Sequence, residues 1–411
     1  MEMKNKSPTG SEIIVAGAGI GGLAAALALH ARGAAVTVLE SASELAPLGV
    51  GINLQPEAVD AIAELRLRDV LASFAIPTSQ SLYLTQDGIE LARRTFGGRV
   101  QQFSVHRGQL QMMLYEAAYK RLPEGSIITG ARVTGFEEVG DEVVVHTAGR
   151  DDFRGAALLG ADGVHSAVRS QLHPGADPYL WEGTTMYRGT CDSDTQFLDG
   201  RSMVLVYGEN GTRFLAYPIS REAEKRGRSL INWVAMLPEH GPAELGDDGT
   251  RNIPATAADV VPVVRGWGFE WLDIEGLVAG SHDVLRYPMV DRAPLHSWGR
   301  GRVTLLGDAA HPMYPIGANG GSQAILDAME FARNAASDVD MGLVTDVADA
   351  LHCYEGERRP STTDVVQANR RLNATERAIA RRAPDELQEM SASGEFDRIQ
   401  SAYARGDFDA I

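Results

Sequence analysis

The chain has 411 residues, 44% of them hydrophobic, with a formal net charge of −17. That length suits one large or two interleaved domains with substantial cores. The acidity, with no Lys/Arg cluster to offset it, argues against bulk nucleic acid or an anionic membrane surface as partner. The two cysteines, Cys191 and Cys353, make neither a disulfide framework nor a metal-ligand spacing.

Ile13-Ile-Val-Ala16 reads as a short strand from the middle of a parallel sheet. It runs straight into Gly17-Ala-Gly-Ile-Gly-Gly22 and then Leu23-Ala-Ala-Ala-Leu-Ala-Leu-His30, a strong helix former. The glycines break the apolar run over residues 13–29. The run is therefore a strand, turn and helix, not a membrane span or signal peptide, as expected of a cytoplasmic protein. Gly17 permits the tight turn, Gly19 lets the backbone of Ala18 to Ile20 approach a pyrophosphate, and Gly22 lets the helix lie close on the strand, with Gly21 beside it. The helix N-terminus offers free N–H groups to phosphate. A second strand, Ala35-Val-Thr-Val-Leu39, ends at Glu40, where a carboxylate accepts from ribose hydroxyls and repels a 2′-phosphate. FAD or NAD is expected here, not NADP.

Further on, Gly160-Ala-Asp-Gly-Val-His165 reads as a strand end, a tight turn around Asp162 and Gly163, and a helix start. Then come runs of alternating, strand-like character around Tyr187, Met203–Tyr207, Arg213–Pro218, Trp233 and Tyr287, which predict an antiparallel sheet with one face over the nucleotide. Arg302-Val-Thr-Leu-Leu-Gly-Asp308 is a strand delivering an aspartate at its carboxyl end, followed by His311-Pro-Met-Tyr-Pro-Ile-Gly-Ala-Asn-Gly-Gly-Ser-Gln323 and a helical pattern. No second GxGxxG occurs, and Trp267-Gly-Phe-Glu-Trp271 lacks the spacing of a flavin-halogenase signature.

Together, the glycine motif, the Asp-Gly motif and the Gly-Asp motif resemble those of the single-component (group A) FAD-dependent aromatic hydroxylases, of the p-hydroxybenzoate and salicylate hydroxylase type. Tyr187-Arg-Gly, Asn232-Trp-Val, Tyr287-Pro-Met-Val-Asp-Arg292 and Met313-Tyr-Pro-Ile-Gly-Ala-Asn-Gly-Gly-Ser-Gln-Ala-Ile-Leu-Asp327 are similar to the 5-methylphenazine-1-carboxylate 1-monooxygenase (pyocyanin-forming) branch. The resemblance implies an α/β fold. A Rossmann-like FAD domain of glutathione-reductase type (1–72, 104–180, 286–375) is interleaved with an antiparallel substrate domain (73–103, 181–285). A C-terminal helical tail (376–411) follows.

By the same resemblance FAD is bound non-covalently. Leu48 to Pro56, including Val50 and Asn53, would run beside the flavin, and Arg107 with Gln109 would lie near its phosphates and ring. Asp162 would order the pyrophosphate surroundings and Asp308 would bond the ribityl chain. Pro315, with Gly317 and Gly320 of the same stretch, would lie at the reactive edge of the ring, and the N–H groups of Gly321 and Ser322 would face its N1–C2=O2 side. His311 is the nearest ionisable catalytic candidate, the alternative being that it only packs against the flavin loop. Tyr187, Arg188, Tyr217, Trp233, Tyr287 and Tyr314 are the substrate candidates, with Arg188 either pairing a substrate carboxylate or making a structural ion pair.

The implied reaction uses NADH or NADPH and O2 to hydroxylate a planar heteroaromatic ring through a C4a-hydroperoxyflavin, with or without loss of CO2. The rival is an oxygen-independent reductase of the geranylgeranyl-reductase type. Tyr354-Glu-Gly-Glu-Arg-Arg-Pro360 resembles the element that closes the FAD domain in this family. The tail, amphipathic through Phe396, Ile399 and Tyr403, is expected to pack on the body or to join a homodimer, the protein being otherwise monomeric.

Overall fold

A computed structural model describes residues 12–47, 49–96, 102–175, 178–239, 241–245, 253–337 and 346–404. Leu48 and the side chain of Tyr403 fall outside the described residues.

Short apolar runs form a five-stranded parallel sheet in the order Val303–Leu305, Ala157–Gly160, Ile13–Ala16, Val36–Leu39, Ile127–Ile128. Such a sheet must be covered on both faces. Helices Ile20–Ala31, Arg107–Arg121 and Asn319–Ser337 pack into its core, and the antiparallel strands Val133–Val139, Glu142–Thr147 and Phe153–Gly155 form a separate small sheet. Three neighbouring strands of the five, Val303–Leu305 at the edge, then Ala157–Gly160 and Ile13–Ala16, end at the Gly-Asp turn, the Asp-Gly turn and the glycine turn. Motifs 140 or more residues apart in sequence therefore meet at one sheet edge.

The second large sheet contains Tyr179–Ser193, Ser202–Tyr207, Arg213–Pro218, Ser229–Pro238 and His282–Asp291, where strands were expected, and adds Gln80–Thr85 and Glu90–Thr95. It is antiparallel with one exception: Gln80–Thr85 runs parallel to Ser202–Tyr207. The expected boundaries at 180/181 and 285/286 cut through strands Tyr179–Ser193 and His282–Asp291, both continuous members of this sheet.

Both faces of the large sheet are buried. On the back, Val204, Phe214, Ile231, Trp233 and Ala235 pack with residues of the short helices Ala257–Val260 and Ile274–Ala279. On the front, Met186, Val234, Met236 and Met289 share a core with Tyr314 and Ile316 of the nucleotide half and with the C-terminal helices. The tail packs on the body: Phe396 is 1% exposed, its ring centroid 5.1 Å from that of Tyr83 and 5.6 Å from that of Tyr207. The long helix Val347–Ile379 runs past the expected boundary at 375 and is pinned to the sheet by a buried ion pair, Arg213 Nη1 to Glu376 Oε2 at 2.6 Å.

Candidate active site

The glycine loop is built as the sequence requires. Gly17 has φ +103°, a region that favours glycine, and a Cβ there would sit 2.5 Å from the Ala161 carbonyl oxygen. A Cβ on Gly22 would collide with the Gly17 carbonyl, and one on Gly21 with Leu306. Gly19, by contrast, would project a Cβ into open space. The loop is tight on its protein side and open on the side where a pyrophosphate would lie. Two further bonds hold its backbone: Ala18 N–H donates to Glu40 Oε2 at 2.7 Å, and Gln111 Nε2 donates to the Ala18 carbonyl at 2.8 Å. Glu40 thus braces the loop through one oxygen, while the other accepts from Ser41 and Ala42.

Arg107 and Gln109 begin the helix Arg107–Arg121 and are exposed; the Arg107 guanidinium has no partner among the described residues. Its backbone N–H donates to the Val50 carbonyl at 3.0 Å, so the segment expected beside the flavin is joined to this helix.

Asp162 is committed to its own chain. Its carboxylate accepts from the Ser166 hydroxyl and from the Ala167 and Val168 amides, capping the helix Ala167–Leu172. Burial pushes its pKa up, against the pull of those hydrogen bonds. Gly163, at φ +78°, completes the turn with open space beside it. Arg169, 1% exposed, donates to the carbonyls of Ala309 and Ala310 and so ties this turn to the next motif.

In the turn Gly307–Ala309, the neighbours of Asp308 are buried while Asp308 itself is exposed and unpartnered among the described residues. Pro315 is likewise exposed between buried Tyr314 and Ile316. The helix Asn319–Ser337 starts just beyond, after Gly317 (φ +71°) and Ala318 (φ +62°). A Cβ on Gly320 would meet nothing within 4 Å. Open glycines, an exposed unpaired carboxylate and helix N-termini on one sheet edge fit a flat, phosphate-bearing dinucleotide.

His311 does not lie in that opening, which corrects its expected role. It is 5% exposed, its ring is 5.2 Å from Trp298, and its Nε2 is 2.6 Å from Asp327 Oδ2. Asp327 also accepts from Gly307 N–H at 3.1 Å and from Arg358 Nε at 2.7 Å. Burial alone would raise the Asp327 pKa, but His311 and Arg358 outweigh it and hold it below the usual carboxylate value. The cluster positions the Gly-Asp turn against the helix behind it. Asp327 and Arg358 belong to the segments that resemble the family, and it is the fold that gives each its partner.

Alternation along the strands sorts the substrate candidates. Trp233 and Tyr187 point to the back face. Trp233 is fully buried, stacks on Phe214 at 5.9 Å and donates to Ser281 Oγ at 2.6 Å. Tyr187 packs on the same back core, with Arg286 6.0 Å over its ring. Neither walls the front of the sheet, where substrate was expected. Tyr314, 1% exposed, is sealed in the front core and backs Pro315 instead of lining open space.

Arg188, Tyr217 and Tyr287 do face the nucleotide half. Arg188 Nη1 donates to the Tyr287 hydroxyl at 2.9 Å, and Nη2 donates to the Gly51 carbonyl. Among the described residues the guanidinium has no carboxylate partner, so the expected structural ion pair is not made, and Nε is buried without an acceptor. Asn232, missed from sequence, accepts from Gly51 N–H at 2.7 Å, and its Nδ2 is also buried without a partner. Burial pushes the neighbouring Tyr217 phenol up to about 12, against the pull of Arg188, so it is a neutral hydroxyl at pH 7.

The family model described as FAD binding domain matches residues 10–261 and 271–369. The chain is 46% identical over 389 residues to phenazine 1,6-dicarboxylic acid hydroxylase PhzS of Lysobacter antibioticus, covering 92% of this chain and 94% of that one. It is 32% identical over 372 residues to 3-hydroxybenzoate 6-hydroxylase 1 of Aquipseudomonas alcaligenes, covering 86% of each. Among solved structures, Klebsiella pneumoniae HpxO complexed with FAD and uric acid superposes with a TM-score of 0.76 at 26% identity over 97% of each chain. No helix among the described residues is long and apolar enough to cross a membrane. With its three nucleotide motifs gathered on one sheet edge and this matched span, the chain belongs to the FAD-binding family of group A aromatic hydroxylases and is an FAD-dependent monooxygenase.

Proposed function

We propose that the protein hydroxylates a planar heteroaromatic carboxylate of the phenazine type, using NADH or NADPH and O2, with or without loss of CO2. The observation that carries this reading is Arg188. A guanidinium facing the nucleotide half, its Nε buried without an acceptor and with no carboxylate partner among the described residues, calls for an anionic ligand. The PhzS relative is named for a phenazine dicarboxylate. A ring with two carboxylates can be held by Arg188 at one and react at the other.

In this reading Gly17, Gly19, Ile20, Gly21 and Gly22 take the pyrophosphate, Glu40 the ribose, and Arg107, Gln109, Asp162 and Gly163 border the phosphates. Asp308 takes the ribityl chain, while Val50, Pro315, Gly317, Gly320, Gly321 and Ser322 border the ring. The bound flavin supplies the activated oxygen. The chain's own work is to hold the ring near it, at about 3–3.5 Å for near-attack geometry, and to exclude water. Met186, Val234, Met236 and Met289, all buried, form the apolar core that backs that front face. A cytoplasmic setting, with reduced nicotinamide at hand, belongs to the same reading.

The test is substrate-stimulated NADH and NADPH oxidation with O2 uptake across phenazine, quinoline and salicylate acids, read together with product mass. Exchange of CO2 for OH marks the decarboxylating route; gain of one oxygen marks simple hydroxylation. Arg188→Gln should raise KM for carboxylated substrates at least tenfold and leave FAD occupancy unchanged. Turnover without O2 uptake would move the protein to the reductase class.

A further inference from the structure

The strand Gly51–Leu54 is held at both ends by groups from distant parts of the chain. At its start, both sides of the Gly51 residue are bonded from the large sheet, N–H to Asn232 and C=O from Arg188. Just past its end, Gln55 bonds the turn that precedes the helix Asn319–Ser337. Its Nε2 donates to the Gly317 carbonyl at 2.5 Å, and its backbone N–H donates to Ser322 Oγ at 2.9 Å. Ser322 Oγ in turn donates to the Ala318 carbonyl at 3.0 Å.

That turn is strained. Gly317 and Ala318 are consecutive left-handed residues, at φ +71° and +62°, a conformation that an alanine Cβ disfavours. Rotating the peptide between them would relieve Ala318, and it would also re-aim the first amides of the helix. The Gln55 carboxamide opposes this by holding the Gly317 carbonyl, and Ser322 Oγ holds the Ala318 carbonyl.

We propose that Gln55 is a positioning residue for the flavin: it holds the Gly317–Ala318 turn so that the helix amides at Gly320 to Ser322 point at the ring. The inference rests on the proposed placement of Pro315 to Ser322 against the flavin. Amides and a helix N-terminus aimed there stabilise the anionic reduced ring more than the neutral oxidised one. Gln55 therefore raises the midpoint potential without touching the cofactor.

The experiment uses the FAD-loaded full chain and measures the midpoint potential of the bound flavin against a reference dye. Gln55→Met keeps the shape of the side chain and removes the donor. It should weaken the preference for reduced flavin about tenfold, which for a two-electron couple is about 30 mV downward, with apoprotein thermal stability near wild type. If Met packs poorly, Gln55→Asn, too short to reach Gly317, should show the same drop. Gly320→Ala serves as reference, because its methyl meets open protein space and only the flavin can feel it. A shifted potential or FAD affinity in Gly320→Ala beside an unshifted potential in both Gln55 variants overturns the role of Gln55 alone, whatever their stability. An unaffected Gly320→Ala overturns the placement of the turn itself.

Discussion

His311 and Asp327 are joined in the interior, Nε2 to Oδ2 at 2.6 Å, and Arg358 takes the other carboxylate oxygen at 2.7 Å. A carboxylate with no exposed surface is held ionised here by two cationic or potentially cationic partners, and the same oxygen that meets His311 accepts from the Gly307 amide, which opens the Asp308 turn.

Replacing Asp327 by Asn breaks a pair whose carboxylate is fully buried and leaves the half-buried Arg358 with Gln323 Oε1 alone, so the fold should lose about 3 kcal/mol, read as a shift of the urea midpoint. The pH dependence has a definite sign. The folded pKa of Asp327 is depressed, so its contribution is complete above the ordinary aspartate value of about 4 and is lost as pH falls through the lower folded value. Stability of wild type should hold from pH 7 to 5 and fall steeply below about 4. A Asp327→Asn curve with the same acid slope would show that this carboxylate carries none of it.

Asp308 is exposed on a turn whose neighbours are buried, so Asp308→Ala should fold normally and lose FAD. A charge-assisted hydrogen bond is worth about 1.5–3 kcal/mol, roughly ten- to a hundredfold in affinity. Flavin absorbance per protein after dialysis measures it, and full occupancy would remove Asp308 from the cofactor site.

Trp233 and Arg188 lie one sheet apart in direction, which separates their phenotypes. Trp233→Leu should lower thermal stability, because it empties part of the back core and removes the indole donor to Ser281 Oγ, at a cost of about 2–4 kcal/mol. KM for an aromatic acid should stay within about twofold of wild type. A KM rise larger than that of Arg188→Gln would contradict the face assignment.

Phe396→Ala tests the tail. The ring is 1% exposed against Tyr83 and Tyr207, so its loss should cost about 3–5 kcal/mol. The change should appear in thermal melts at every protein concentration, because the contact is within one chain. A loss seen only on dilution would place Phe396 at an interface between copies.

The nucleotide half was legible because its requirements are local. Gly17, Gly19 and Gly22 lie within six residues; backbone sterics dictate Gly17 and Gly22, and Gly19 keeps the loop open on the phosphate side. The same holds for the strand ending at Glu40 and the turn that presents Asp308. Gln55, Gln111, Asn232 and Asp327 were not read as functional. Each acts on a backbone group or side chain that only folding brings near: Gly317, Ala18, Gly51 and His311.

The sequence by itself determined a dinucleotide of FAD or NAD type and the sheet that carries it, because motif spacing and strand-turn-helix order are properties of short stretches of chain; FAD and the enzyme class followed from the family resemblance of the same motifs. Only the tertiary structure decided which side of the second sheet meets the flavin half. Both faces of that sheet are buried, so alternation of apolar residues separates Tyr187 from Arg188 without saying which points inward. That choice is made by contacts over long separations: Arg188 with Gly51, Asn232 with Gly51, Arg213 with Glu376. It turns Trp233 into a core residue, leaves Arg188 facing the flavin half, and withdraws His311 into a hydrogen bond with Asp327, because a buried polar group goes where its partner is.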